Sequence, residues 1–314
     1  MKSDSRADTR VGPRDDDRRG GPTCPPEVLA GIADLELVAK IIVEGLVSGL
    51  HRSPFHGYSA EFSQYRHYRP GDDLKYVDWK LAARTDRIYT KQFRETTNMA
   101  ATLVVDTSAS MDFPVPTRGV RLQAGLTKFR YLILASAALA YLISKQGDAV
   151  GLVAAGGRFI APRTGRQHLR GLLAALSALE PRGPWPAGET IRRAADRMTR
   201  RGLLLVFSDF YDDEDRAFAE LRRAARMGHE VVLFQILSRD ELEFPYKSDF
   251  EFTDLETGRS VAVNAAAARR EYRDEVTAFL ERWRSRAGAE GFQYSLVVTD
   301  TPVERSLRSM LLAR

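Results

Sequence analysis

The chain has 314 residues, 44% of them hydrophobic and 28% charged, which is the composition of a globular protein with length for one large domain or two modest ones. Its net charge of +5 makes the surface mildly basic, but no aromatic-rich nucleic-acid signature and no zinc-ligand spacing accompany it, so direct nucleic-acid binding is not expected. The most apolar run, residues 131–143, is too short to span a bilayer, the amino end carries no apolar leader, and the single Cys24 rules out an internal disulfide framework. A cytoplasmic protein is expected.

Residues 1–26 are rich in Asp, Arg, Gly and Pro and are expected to be disordered. Over residues 27–50 the apolar positions Leu29, Ile32, Leu35, Val38, Ile42 and Leu46 recur three or four apart, the spacing of an amphipathic helix. A polar and aromatic segment follows. Residues 62–68 and 88–93 alternate as two strands of a small sheet, and Pro70-Gly71-Asp72 marks a turn. Asp72 or Asp73 is placed to cap a short helix running to Arg84. Glu61, Arg66, Asp72, Asp78 and Arg84 are expected to form an ion-pair network with Trp79 packed beneath it. The segment serves either as a polar structural subdomain or as a docking surface, since Arg, Tyr and Trp dominate binding hot spots. It closes a predicted unit of residues 27–99.

From residue 100 to 314 strands and helices alternate. Strands are predicted at residues 102–106, 148–154, 158–161, 203–207, 231–237 and 292–298. Helices are predicted at 121–145, 166–179, 190–199, 213–227 and 265–286, with a last short one from Pro302. Gly156-Gly157 makes a hairpin, and residues 250–263 form a β-insertion around Leu255-Glu-Thr-Gly258. This alternation predicts an α/β fold with a doubly wound, mostly parallel sheet, helices on both faces and one antiparallel edge strand.

In such a sheet ligands sit beyond the carboxyl ends of the strands. Leu103, Val104 and Val105 end a buried strand at Asp106, and Ser108 and Ser110 follow at alternate positions, so one carboxylate and two hydroxyls can converge. Three hard oxygen donors suit a divalent cation, Mg²⁺ first, with Mn²⁺ or Ca²⁺ as alternatives. The same residues would also suit the capped start of a helix after a buried strand. Thr190 and Asp209, at later loop and strand ends, are expected to face the same crevice.

Asp106-x-Ser108-x-Ser110 with Thr190 and Asp209 resembles the metal-ion-dependent adhesion site of von Willebrand factor type A domains. The segment Glu61-Phe, Arg66-x-Tyr68-x-Pro70-Gly71-Asp72-Asp73, Asp78-Trp79 and Ala83-Arg84 resembles the signature of the bacterial domain-of-unknown-function 58 family, and the likeness continues through Phe252-x-Asp254-Leu-Glu-x-Gly258. The resemblance implies a von Willebrand factor A-like domain and a metal site made of Asp106, Ser108, Ser110, Thr190 and Asp209. It also implies a non-enzymatic adaptor that works with a MoxR-type AAA+ ATPase, with an acidic side chain of a protein partner completing the ion's shell. A Mg²⁺-dependent phosphohydrolase with Asp106 as nucleophile is the alternative. Position 108, where the haloacid-dehalogenase-like pattern places a second Asp, is here a serine.

Overall fold

The structure is a computed structural model that describes residues 34–48, 60–69, 72, 77–85, 87–95, 99–114, 126–211, 213–246 and 249–312. The expected disordered tail and the first residues of the predicted amino-terminal helix lie outside these.

Six strands form the central sheet: β3 (Ala100–Val105), β4 (Ala149–Ala154), β5 (Phe159–Arg163), β6 (Gly202–Ser208), β7 (Glu230–Leu237) and β10 (Gln293–Val298), in the order β10-β7-β6-β3-β4-β5. All neighbours are parallel except β5, which turns back on β4 through Gly156 and Gly157, both at positive φ. The fold class is therefore the expected one. Counted within this sheet alone the order is 3-2-1-4-5-6, and its direction reverses between β3 and β6.

Alternation along β3 fixes the two layers. Ala101, Leu103 and Val105 face a core built from α1 (Leu35–Ser48), α3 (Lys128–Lys145), α4 (Arg166–Ser177) and α9 (Val303–Leu312). Val104 faces the opposite core, made by α5 (Ala187–Arg197), α6 (Glu214–Arg226) and α8 (Ala265–Ala289). Helix α1 presents Leu35, Val38, Ala39, Ile42, Val43 and Leu46 to the first core, the stripe its spacing predicted. A short helix not foreseen from the sequence, α7 (Arg239–Glu243), follows β7 and is held by a capping box between Ser238 and Glu241. The predicted β-insertion is a hairpin of β8 (Asp249–Thr253) and β9 (Ser260–Asn264).

The two strands carrying the candidate site must lie close together. A Cβ added at Gly202 would sit 2.0 Å from the Ala100 carbonyl oxygen, its partner across the ladder. Gly202→Val is accordingly expected to destabilise the protein by roughly 1–3 kcal/mol through a local parting of β3 from β6, read as a lower midpoint in urea.

The polar segment forms β1 (Ala60–His67) and β2 (Tyr89–Glu95), an antiparallel pair, with α2 (Trp79–Thr85) between them. Two expectations are corrected here. The helix starts later than predicted and Asp78 caps it, accepting from the amides of Lys80 and Leu81 at 3.1 and 3.0 Å. Asp72 instead accepts the Arg69 amide in the turn before it. Trp79 does not pack beneath a network: at the first position of α2 its side chain is 59% exposed, because a seven-residue helix with no buried residue gives it no core to enter.

Candidate metal centre

The site lies at the switch point of the sheet, where β3 and β6 end side by side. The Asp106 amide donates to the Phe207 carbonyl at 3.0 Å, which continues the ladder one residue past β3. Asp106 and Asp209 are thereby brought to one place, both almost fully buried, at 1% and 2% exposure. One Asp106 oxygen accepts the Ser108 amide at 2.7 Å, and the other accepts the Ser208 hydroxyl at 2.6 Å. Ser208 in turn accepts the Phe210 amide at 2.8 Å.

The two predicted serines join the carboxylates. Ser110 donates to Asp209 at 3.0 Å, and the Ser108 and Ser110 hydroxyl oxygens lie 2.9 Å apart. A hydroxyl has one proton to give. With Ser110 committed to Asp209, Ser108 is the donor in the pair, and proton polarity runs from Ser108 through Ser110 to Asp209.

The loop after β6 holds its shape at a local cost. Phe210 is a non-glycine residue at φ 60, a left-handed conformation that disfavours side chains. Its ring is buried and stacks on Trp283 of α8 at 4.3 Å, which offsets the strain and aims Asp209 inward. The Asp209 carbonyl accepts the Gln235 side chain, itself held by the Tyr294 hydroxyl. Tyr211, next in the chain, stands 45% exposed at the rim.

Sequence reasoning missed the positive charge at the site. The Lys128 ammonium, 1% exposed, bonds Asp209 at 2.8 Å and Glu241 at 2.6 Å. Burial works against its charge, but Asp209 and Glu241 outweigh burial and hold the ammonium above the usual lysine range. The available signal was a lysine at the head of a largely apolar helix, α3, with Thr127 as cap. Asp106 has no cation of its own among the described residues. Burial, and then the charge of Asp209, push its carboxyl up to about 7, although the bonds from Ser208 and Ser108 pull the other way.

Thr190 sits in the first turn of α5, buried at 5% exposure, and lines a small cavity with Pro186, Arg193 and the β4–β5 turn. Among the signature residues, Arg66 pairs with Asp72 at 2.7 Å, and Asp72 also accepts Thr90 at 3.3 Å. The Arg69 amide, ahead of Arg66 and Thr90, holds the Asp72 carboxyl below its ordinary range. Asp78 accepts the Tyr65 hydroxyl at 2.9 Å, the Tyr68 amide bonds the Ile88 carbonyl, and Arg84 is exposed on α2. Glu61 lies on β1, opposite Arg94. Gly71 and Asp73 lie outside the described residues.

Residues 64–281 match the family described as Protein of unknown function DUF58. The chain belongs to this family. Two uncharacterized relatives, from Mycobacterium tuberculosis and Mycobacterium bovis, are each 30% identical to it over 240 residues, 74% of this chain and 72% of theirs. Among solved structures, the conserved hypothetical protein BatB from Bacteroides thetaiotaomicron is similar with a TM-score of 0.44 and 14% identity, over 68% of this DUF58 chain and 98% of BatB. An aerotolerance-related membrane protein from Bacteroides fragilis gives 0.43 and 15%, over 69% and 100%. The SpRpn10 VWA domain gives 0.37 and 12%, over 67% and 94%. No helix among the described residues is long and apolar enough to cross a membrane.

The donor set of this DUF58 chain suits a divalent cation. Asp209 and Glu241 share one ammonium, and Asp106 beside Asp209 has none among the described residues, so with all of them ionised this buried region carries surplus negative charge. Hard carboxylate and hydroxyl oxygens dominate the remainder, the ligands that Mg²⁺ accepts.

Proposed function

We propose that this chain is a non-enzymatic protein-interaction module whose Asp106, Ser108, Ser110 and Asp209 hold a divalent cation, Mg²⁺ first, at an adhesion-type site. The observation that carries the reading is the gathering of two carboxylates and two hydroxyls, from loops a hundred residues apart in sequence, at the switch point of the sheet. Thr190 is the further ligand that the family resemblance implies. When bound, the ion supplies a fixed positive charge with exchangeable positions for oxygen ligands. The protein's part is to fix those oxygens, to keep Ser108 and Ser110 polarised toward Asp209, and to present Tyr211 at the rim, where an exposed aromatic favours a protein partner. An acidic side chain of the partner completes the site. The partner class implied by the resemblance is a MoxR-type AAA+ ATPase, with the Arg66–Asp72 and Tyr65–Asp78 segment as a second contact.

Phosphate chemistry is a weaker account of the same residues. Position 108 is a serine, and the Lys128 ammonium that could meet a phosphate is engaged by two carboxylates.

Direct Mn²⁺ binding, followed by the loss of the free-ion electron paramagnetic resonance signal, tests the site. Ser108→Ala/Ser110→Ala is expected to weaken binding by roughly tenfold or more, with an unchanged circular dichroism spectrum. Capture of the ATPase is expected to fall in parallel and to be abolished by chelator. Equal Mn²⁺ binding by variant and wild type would remove the ion from the proposal.

A further inference from the structure

Next to this cluster, and not used by the proposed function, lies a groove where α7, the β8–β9 hairpin and the first half of α8 meet. It is a cavity of about 580 Å³, the size of an ordinary binding pocket. Its wall is aromatic. Phe244 lies against Phe252 and Tyr272 with ring centroids 5.6 and 4.4 Å apart, and Tyr246 meets it edge-on at 5.1 Å. These rings form a small core of their own, separate from both cores of the sheet.

The rim is acidic. Glu271 and Glu275 line the groove from α8, and Glu241 lines it from α7; no lysine or arginine is among the described residues that line it. Glu271 and Glu275 stand one turn apart on the same helix face, a like-charge spacing that costs helix stability. Both are exposed, and neither has an ion pair among the described residues. Elsewhere on α8 several charges are paired, Arg270 with Asp274, Arg282 with Glu214 at 3.3 Å and Arg286 with Asp215 at 2.9 Å, while Arg269 is committed to the Phe244 and Tyr246 carbonyls. Glu241 is neutralised by Lys128, but on a chain of net charge +5 an aromatic groove bordered by the unpaired Glu271 and Glu275 departs from the general surface.

We propose that this groove docks a peptide segment of a partner protein that carries a bulky apolar side chain flanked by lysine or arginine. The apolar side chain fills the cavity against Phe252 and Tyr272. The aliphatic stem of the neighbouring basic residue lies along the rings while its cationic head meets Glu271 and Glu275. Charge complementarity selects this segment over an acidic one, whose carboxylates would repel the rim. The surface is distinct from the ion site and does not require it, although Glu241 touches both.

A library of short random peptides displayed on phage and selected on the full chain tests this, with affinities of the enriched peptides measured by fluorescence anisotropy. The enriched sequences are expected to place Lys or Arg beside a large apolar residue. Glu271→Lys/Glu275→Lys should weaken them by roughly tenfold or more, Phe252→Ala should weaken them as well, and added salt should weaken the wild type. Ser108→Ala/Ser110→Ala should bind these peptides as the wild type does, so a failure of the ion site and a failure of the groove are told apart. An acidic or neutral consensus, or affinity that survives charge reversal, would overturn the assignment. So would self-association abolished by Glu271→Lys/Glu275→Lys with no peptide enriched, which would make a second copy of the chain the occupant.

Discussion

Lys128→Met is expected to cost the protein about 3–5 kcal/mol of folding stability, the penalty for leaving a buried charge without its partner. The ammonium holds Asp209 and Glu241 together at 2.8 and 2.6 Å, and its own side chain is 1% exposed. Methionine fits the volume but cannot neutralise either acid, and Asp209 would retain only the Ser110 hydroxyl and the Tyr211 amide. The loss appears as a lower urea midpoint with an unchanged slope. Two companion experiments separate charge from packing. Adding Glu241→Gln to Lys128→Met should recover part of the loss, and Mg²⁺ should stabilise Lys128→Met more than the wild type, because an external cation then replaces the missing internal one. A Lys128→Met protein as stable as the wild type would refute the central role of this pair.

The second large effect is a pH dependence that belongs to Asp106. Burial and the charge of Asp209 raise its carboxyl to about 7 in the folded protein, against an ordinary value of about 3.9 in the unfolded chain. Between these values the folded state holds a proton that the unfolded chain has lost, so stability must fall as pH rises. The contribution is complete below about pH 4 and is lost as pH passes through about 7, a change on the order of 4 kcal/mol. In chelator, the wild-type melting temperature should decline between mildly acidic and mildly alkaline buffer. Asp106→Asn, which keeps an acceptor for the Ser108 amide and presents an amide to Ser208, should flatten the profile. Divalent cation should oppose the decline in the wild type and have little effect in Asp106→Asn. The same slope in both proteins would place the titration elsewhere.

Most of the sheet was legible because buried parallel strands are short apolar runs and the helices between them repeat every three or four residues. Leu103–Val105 and Leu203–Phe207 could hardly be anything but central strands, and their ends marked Asp106 and Asp209. Lys128 was not legible. A lysine in the first turn of a helix ordinarily faces water, and only the packing of α3 under the site turns it inward toward partners 81 and 113 positions away. Glu241 was hidden for a similar reason, since a five-residue helix set by its cap leaves no periodicity to read. Trp79 misled because bulk suggests burial, whereas helix α2 is too short to own a core. Tyr65–Asp78 and Arg66–Asp72 were half visible: the residue types stood out, but which acid met which partner depended on the turn at Asp72.

The placement of the two aspartates limits how the site can move. Both follow adjacent strands that stay hydrogen-bonded up to the Asp106 amide and the Phe207 carbonyl, so the strand ends from which the two acids spring are held at the main-chain spacing of about 4.8 Å between neighbours. That calliper cannot be widened without unfastening the middle of the molecule. Any signal sent by an occupant of this crevice is therefore expected to leave through the loops above the strand ends, the serine loop or the Asp209 loop with its lysine strut to Glu241, while the strands beneath stay still.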